Sequence, residues 1–168
     1  MRYAAYGSNL HPARLTVRTP SATLLGAEAL PGFTLRFEKR SRDGSGKCTI
    51  VEEAGARVHL AIYEIADAET PALDRAEGLG RGYSLETIEL PRFGPCQTYV
   101  GQHEHLDPAL RPYTWYRELV LVGCEFHGFP DSYVRLVSSV PAHLDPNAAR
   151  HEENMALVRR ARAETGRL

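Results

Sequence analysis

The sequence has little with which to build a disulfide framework, a metal centre or a membrane anchor. Its three cysteines, Cys48, Cys96 and Cys124, are odd in number, far apart, and form no C-x-x-C pair. That pattern is expected of reduced thiols in core or strand positions of a protein from a reducing compartment. No apolar run approaches the ~20 residues of a membrane-spanning helix. The opening Met1-Arg2-Tyr3-Ala4-Ala5-Tyr6 is too short and too polar for the apolar stretch of a secretory signal. These absences make the cytoplasm the expected location. An excess of one charge is missing as well. The 20 Lys and Arg stand against 21 Asp and Glu, a net charge of −1, so neither nucleic acid nor a membrane surface is an expected partner. There is no internal repeat or low-complexity segment. No G-x-S-x-G elbow is present to make Ser8 a hydrolase nucleophile.

What is present is enough for one domain with its own core: 168 residues, 43% hydrophobic and 24% charged. Residues 2–6 are a short apolar run ended by Gly7-Ser8-Asn9, which predicts a buried first strand leading into a loop. His11 to Leu15 opens a short helix. Residues 22–30 and 33–38 are two runs separated by Pro31-Gly32, a turn signal, and Leu35 and Phe37 alternate with Arg36 and Glu38 as on a half-buried strand. Ser41 to Gly46 is polar and glycine-rich, the composition of a mobile loop. Thr49 to Val51 and Val58 to Ile65 read as two further strands.

Asp67 to Glu77 changes to helical spacing, with Asp67 as its expected N-cap and Leu73, Ala76 and Glu77 on one face. Gly78 to Gly82 breaks that helix. Tyr83 to Leu90 and Cys96 to Val100 predict a strand pair, and Gln102 to Pro112 a polar connection. Tyr113 to Cys124 and Asp131 to Val140 predict helices. Asp145-Pro146, an N-cap followed by proline, marks the start of a last helix running to about Ala163. Strands dominate the first hundred residues and helices the last fifty, which is an α+β arrangement with helices outside a mostly antiparallel, curved sheet.

Two segments carry chemistry. In Tyr3-Ala4-Ala5-Tyr6-Gly7-Ser8-Asn9-Leu10 a strand runs into a turn where glycine lets the backbone approach a ligand and successive N–H groups can cradle an anion or carbonyl. In Leu73-Asp74-Arg75-Ala76-Glu77-Gly78 a carboxyl group ends a helix just before glycines. That position is unfavourable for the helix dipole. The neighbours Ala76 and Leu79 allow apolar surroundings that disfavour its charged form, which suits a general acid–base, while local sequence alone favours a solvent-facing glutamate in the last helical turn.

Together these segments resemble the γ-glutamylcyclotransferase family, which takes in γ-glutamylamine cyclotransferases and plant avirulence-induced proteins. Tyr6-Gly7-Ser8-Asn9-Leu10, Leu73-Asp74-x-x-Glu77-Gly78 and Tyr83 carry the resemblance. A later stretch, Tyr116, Gly123-Cys124 and Gly128-Phe129-Pro130-x-x-Tyr133, extends it to about residue 137. The resemblance implies a small, mixed, mostly antiparallel β-barrel flanked by helices. It implies a cyclotransferase that forms 5-oxoproline from a γ-glutamyl amine, dipeptide or γ-glutamylated intermediate, with release of the amine. It maps the catalytic glutamate onto Glu77 and the γ-glutamyl-binding loop onto Tyr6, Gly7, Ser8, Asn9 and Leu10, with Tyr83 and Tyr116 lining the pocket. It calls for no metal or organic cofactor, and a small γ-glutamyl molecule is the implied partner.

Residues 1–140 are expected to form this domain and 141–168 a helical extension packed on it. A homodimer is left open, as are two other uses of the pocket: a binding module without turnover, and a hydrolase or acyltransferase. Other candidates are weaker. His103-Glu104-His105 lacks a third ligand in register and reads as a surface loop. Cys124 with His127 reads as a structural thiol beside a histidine, Trp115 as core, and Arg159-Arg160-Ala161-Arg162 as a solvated helix face.

Overall fold

The computed structural model describes residues 1–166. Five strands form one sheet: β1 (Arg2–Ala5), β2 (Thr23–Arg40), β3 (Gly46–Glu64), β4 (Tyr83–Leu90) and β5 (Gly94–Gly101). Their order across the sheet is β2-β3-β1-β5-β4. Three of the four pairings are antiparallel and one, β1 with β5, is parallel. The α+β class and the mostly antiparallel sheet are those expected. The sheet curls like a barrel without closing. Beyond the short β1, the first part of β3 swings over to the end of β5, where the Gly101 N–H donates to Thr49 Oγ1 at 2.9 Å. The turn that follows β1 lies in that curl.

Among the described residues five α-helices accompany the sheet: α1 (Pro12–Leu15), α2 (Thr70–Glu77), α3 (Thr114–Phe126), α4 (Asp131–Ser138) and α5 (Ala148–Thr165). The apolar run in α3 buries Leu119 and Val120 in the same core as Leu60, Ile62 and Tyr63 of β3, and Val122 on another side of the helix. Val158 and Ala161 place one side of α5 inside as well, Ala161 against Ala13 and Val122.

Four local readings change. Pro31-Gly32 is no hairpin turn. β2 runs through it, and pairing with β3 jumps from Pro31–Arg57 to Phe33–Glu52, so residues 53–56 bulge opposite Gly32. The two pairs of short strands expected here are therefore one long hairpin with a bulge in the middle. The loop at its tip, residues 41–45, is tethered: Ser45 N and Oγ donate to Asp43 Oδ1, and Tyr113 Oη donates to Asp43 O at 2.8 Å. Asp67 does not cap α2. It begins a 3-10 turn and accepts from the Met1 ammonium at 2.8 Å. Asp145 likewise caps nothing, because Asn147 takes that role by accepting from the Arg150 N–H. The Asp145 carboxylate is buried instead, where it accepts from Trp115 Nε1 at 2.8 Å and from Arg150 at 2.6 Å. Each carboxylate is held by other donors, Asp67 by the Met1 ammonium and Asp145 by Trp115, Arg150 and the Asn147 N–H.

Candidate active site

Strand β1 delivers Tyr6 into a tight turn closed by a hydrogen bond from Leu10 N to Gly7 O at 3.0 Å. Helix α2 delivers Glu77 to the same place. The helix ends there because Gly78 adopts the left-handed conformation, φ +76°, and lets two amides, of Gly78 and Leu79, cap the Asp74 carbonyl. The chain then reverses within five residues to start β4 at Tyr83. Asn9 Nδ2 donates to Glu77 Oε1 at 2.7 Å, tying turn to helix.

The cavity between them is narrow: the space open to the centre of a water-sized sphere is about 20 Å³. Gly7, Ser8 and Asn9 form one wall and Glu77 faces them; Tyr3, Tyr6, Cys48, Tyr83, Tyr99 and Tyr116 make up the rest. Of the residues singled out by sequence, Tyr6, Gly7, Ser8, Asn9, Glu77, Tyr83 and Tyr116 are thus brought together. Leu10 is not. Its side chain is fully buried beneath the turn, in the space left by the missing side chain of Gly123, and its carbonyl accepts from Tyr63 Oη at 2.5 Å. Leu10 holds the turn in place and does not line the cavity.

The tyrosines are fixed by the backbone around them. Tyr6 Oη donates to the Tyr99 carbonyl, Tyr83 Oη donates to Cys48 O at 2.6 Å, and Tyr116 Oη accepts from Cys48 N at 3.1 Å. Tyr3 Oη accepts from Asn9 Nδ2 at 3.2 Å. Burial pushes all four phenols, and the Cys48 thiol, well above their ordinary values. They stay neutral near pH 7, so none is a base and Cys48 is no thiolate nucleophile. Among the described residues Glu77 is the one carboxyl group in the cavity wall.

The apolar surroundings that the sequence allows for Glu77 are not found. Arg18 Nη1 donates to Oε1 at 2.7 Å, beside the Asn9 amide, and also donates to Asn9 Oδ1 at 3.0 Å. Both donors fall on Oε1, and Oε2 has no protein donor among the described residues. The Glu77 side chain is 18% exposed, so the cavity keeps a mouth to solvent. Sequence reading missed Arg18, Tyr3 and Tyr99. Tyr3 and Tyr99 carry a signal, being strand residues whose alternation turns them to the inner face. Arg18 carries none, because only the tertiary fold brings residues 18 and 77 together.

The remaining candidates lie apart. His103 to His105 forms an exposed or half-exposed 3-10 turn, and among the described residues no three His, Cys, Asp or Glu side chains group as metal ligands. Cys124 is buried and free, its thiol pushed up to about 12 by burial; His127 Nε2 bonds to Leu10 O at 2.7 Å. Trp115 is core. No helix of the described residues is long and apolar enough to cross a membrane.

Fold and cavity together define a small α+β protein with a polar pocket in which a single carboxyl group faces a Gly-Ser-Asn turn. The family described as "Gamma-glutamyl cyclotransferase, AIG2-like" matches residues 3–118, and the chain belongs to it. A γ-glutamylcyclotransferase from Bos taurus is 26% identical over 174 residues, spanning 97% of this chain and 90% of that protein. The Mus musculus γ-glutamylcyclotransferase is 27% identical over 148 residues, 82% of this chain and 77% of that one. Among solved structures, a γ-glutamyl cyclotransferase superposes with a TM-score of 0.80 over 95% of this chain and 98% of its own, at 22% identity, which shows a shared fold.

Proposed function

We propose that the protein is a cyclotransferase that closes a γ-glutamyl group into 5-oxoproline and releases the attached amine, with Glu77 carrying the protons. The observation that carries this reading is the meeting of Glu77 with the Gly7-Ser8-Asn9 turn across one cavity, joined by the 2.7 Å bond from Asn9.

The chemistry needs few groups. The substrate's α-nitrogen enters as an ammonium with three hydrogens, loses one to become the amine that attacks the γ-carbonyl carbon, and loses a second to end as a lactam nitrogen with one. A C–N bond forms, the C–N bond to the leaving amine breaks, and the leaving nitrogen gains the two hydrogens that the attacking one lost. Glu77 passes these protons in turn, Oε1 held by Asn9 and Arg18 and Oε2 free to accept and return them. The oxyanion that develops on the γ-carbonyl faces the turn. The Ser8 and Asn9 N–H groups have no protein acceptor among the described residues and are available to stabilise it. The rigid tyrosine walls hold a flexible γ-glutamyl chain in a ring-closing shape, an entropic contribution. Tyr6, Tyr83 and Tyr116 serve as walls with their hydroxyls already engaged.

The test is product analysis. A panel of γ-glutamyl compounds incubated with the protein is expected to give 5-oxoproline and the free amine in equal amounts. Glutamate in place of the lactam would make the pocket a hydrolase, and no product with retained binding would make it a binding module.

A further inference from the structure

Adjoining the tyrosine-walled cavity, and sharing Glu77 with it, lie two further depressions lined by cations. One is lined by Arg14, Arg18, Lys39 and Lys47, the other by Lys39, Arg42, Arg75 and Arg81. Two of these charges are already matched, Arg18 by Glu77 and Lys47 by Asp43. Among the described residues the other five make no ion pair, in a chain whose net charge is −1. The inner cavity has no cation in its wall. The positive charge is therefore gathered at the mouth, where the half of a substrate beyond the γ-carbonyl would sit.

Lys39 is the residue common to both depressions. It is only 7% exposed, yet its ammonium meets no carboxylate. Its protein partners are the Tyr83 ring, 4.4 Å from Nζ to the centroid, and the Arg81 carbonyl at 3.5 Å. Such burial works against the charged form and lowers its pKa. The position is nonetheless built. A Cβ at Gly82 would lie 2.8 Å from Lys39 Cε, and one at Gly101 3.1 Å from Lys39 Cγ, so two glycines leave the groove that the lysine stem fills. Arg14, in the adjoining lobe, donates from Nη1 to Asn154 Oδ1 at 3.3 Å, meets no carboxylate, and has its Nε buried with no partner among the described residues. Buried donors without partners are rare and point to a ligand group that completes them.

Resting on the cyclotransferase reading above, we infer that the amine half of the substrate is acidic, carrying two or more negative charges, and that Lys39 and Arg14 bind it. An acidic amino acid or acidic peptide linked through its nitrogen to the γ-glutamyl group has this chemistry. A neutral alkylamine would leave both cations unmatched at the mouth, and a cationic amine would be repelled. Lys39 here sets specificity; it is not a catalytic residue.

The experiment compares kcat/KM for 5-oxoproline release from γ-glutamyl-aspartate, γ-glutamyl-alanine and γ-glutamyl-n-butylamide. The expected order is aspartate, alanine, butylamide, with about tenfold or more between the extremes at low ionic strength and a narrower gap in added salt. Lys39→Met should shrink the ratio of aspartate to butylamide, mainly through KM. Arg75→Gln combined with Arg42→Gln, both at exposed positions, should shrink it less and serves if the Lys39 variant does not fold. Butylamide turned over as well as the aspartate compound overturns the inference, as does an unchanged ratio in folded variants. If no probe yields 5-oxoproline, the activity reading fails separately. Calorimetric binding of the same probes then decides the charge preference, and γ-glutamyl-aspartate binding no tighter than the butylamide overturns it.

Discussion

Asn9 does two jobs at once: it belongs to the turn and it holds the Glu77 carboxyl in place at 2.7 Å. Asn9→Ala should therefore lower kcat by about 10- to 100-fold while KM changes little, since the wall groups remain and the proton carrier loses its orientation. Steady-state kinetics with one γ-glutamyl dipeptide checks this. Tyr63 acts on the same turn from below through its bond to Leu10 O. Tyr63→Phe leaves a buried carbonyl with His127 as its remaining side-chain partner and should cost about 1–2 kcal/mol in a denaturant titration. Residue types marked Glu77 and the Gly-Ser-Asn turn only as candidates, because a carboxyl at a helix end before glycines departs from local preference and a glycine turn after a buried strand has a backbone reason; the order and spacing of the family motifs gave them their roles. They did not show that Leu10 faces the core or that Arg18 pairs with Glu77. Those facts depend on which side of the turn faces helix α3 and on residues 59 positions apart meeting in space.

The last helix is tied to the rest by more than contact of its apolar face. Asp145, just ahead of α5, joins Trp115 of α3 to Arg150 of α5. The strand-like segment at His143 pairs with Tyr113. We propose that residues 141–166 complete the core that 1–140 begins, so a chain ending at Val140 should fail to show a cooperative thermal transition by circular dichroism. Arg150 holds the Asp145 carboxyl below the usual carboxylate range. A group whose folded pKa is depressed stabilises the fold above its unfolded pKa, near ~3.9, and that contribution is lost as pH falls through the folded value. Asp145→Asn should then cost about 1–3 kcal/mol at pH 7, less than a fully buried pair because the Arg150 side chain is 35% exposed. The difference between the two proteins should shrink below about pH 4, as followed by melting temperature. The helices were legible from spacing and caps to within a few residues. The caps themselves were less so: Asp67 and Asp145 had stronger donors elsewhere, and Pro31-Gly32 proved to be a bulge because a continuous partner, β3, lay alongside both runs.

For the molecule as a whole, the sequence composition is nearly neutral while its charges are unevenly placed, with unpaired cations around one opening. No reading of composition or spacing predicts that, because residues 14, 39, 42, 75 and 81 come from three separate stretches of the chain. The α+β class followed from strands early and helices late. The strand order did not, since the parallel pairing of β1 with β5 joins segments some ninety residues apart. That pairing, with β3 curling over the end of β1, is what brings the turn, Glu77 and the tyrosine walls to one cavity.

The central claim is that the Glu77 carboxyl moves the protons of ring closure, and replacing it by an isosteric amide tests this most directly. Glu77→Gln can still accept from Asn9 and keeps the side-chain shape. It is expected to fold with an unchanged circular dichroism spectrum, bind a γ-glutamyl dipeptide, and release 5-oxoproline about 10²- to 10⁴-fold more slowly than the parent. A folded Glu77→Gln protein that forms 5-oxoproline at the parent rate would contradict the account.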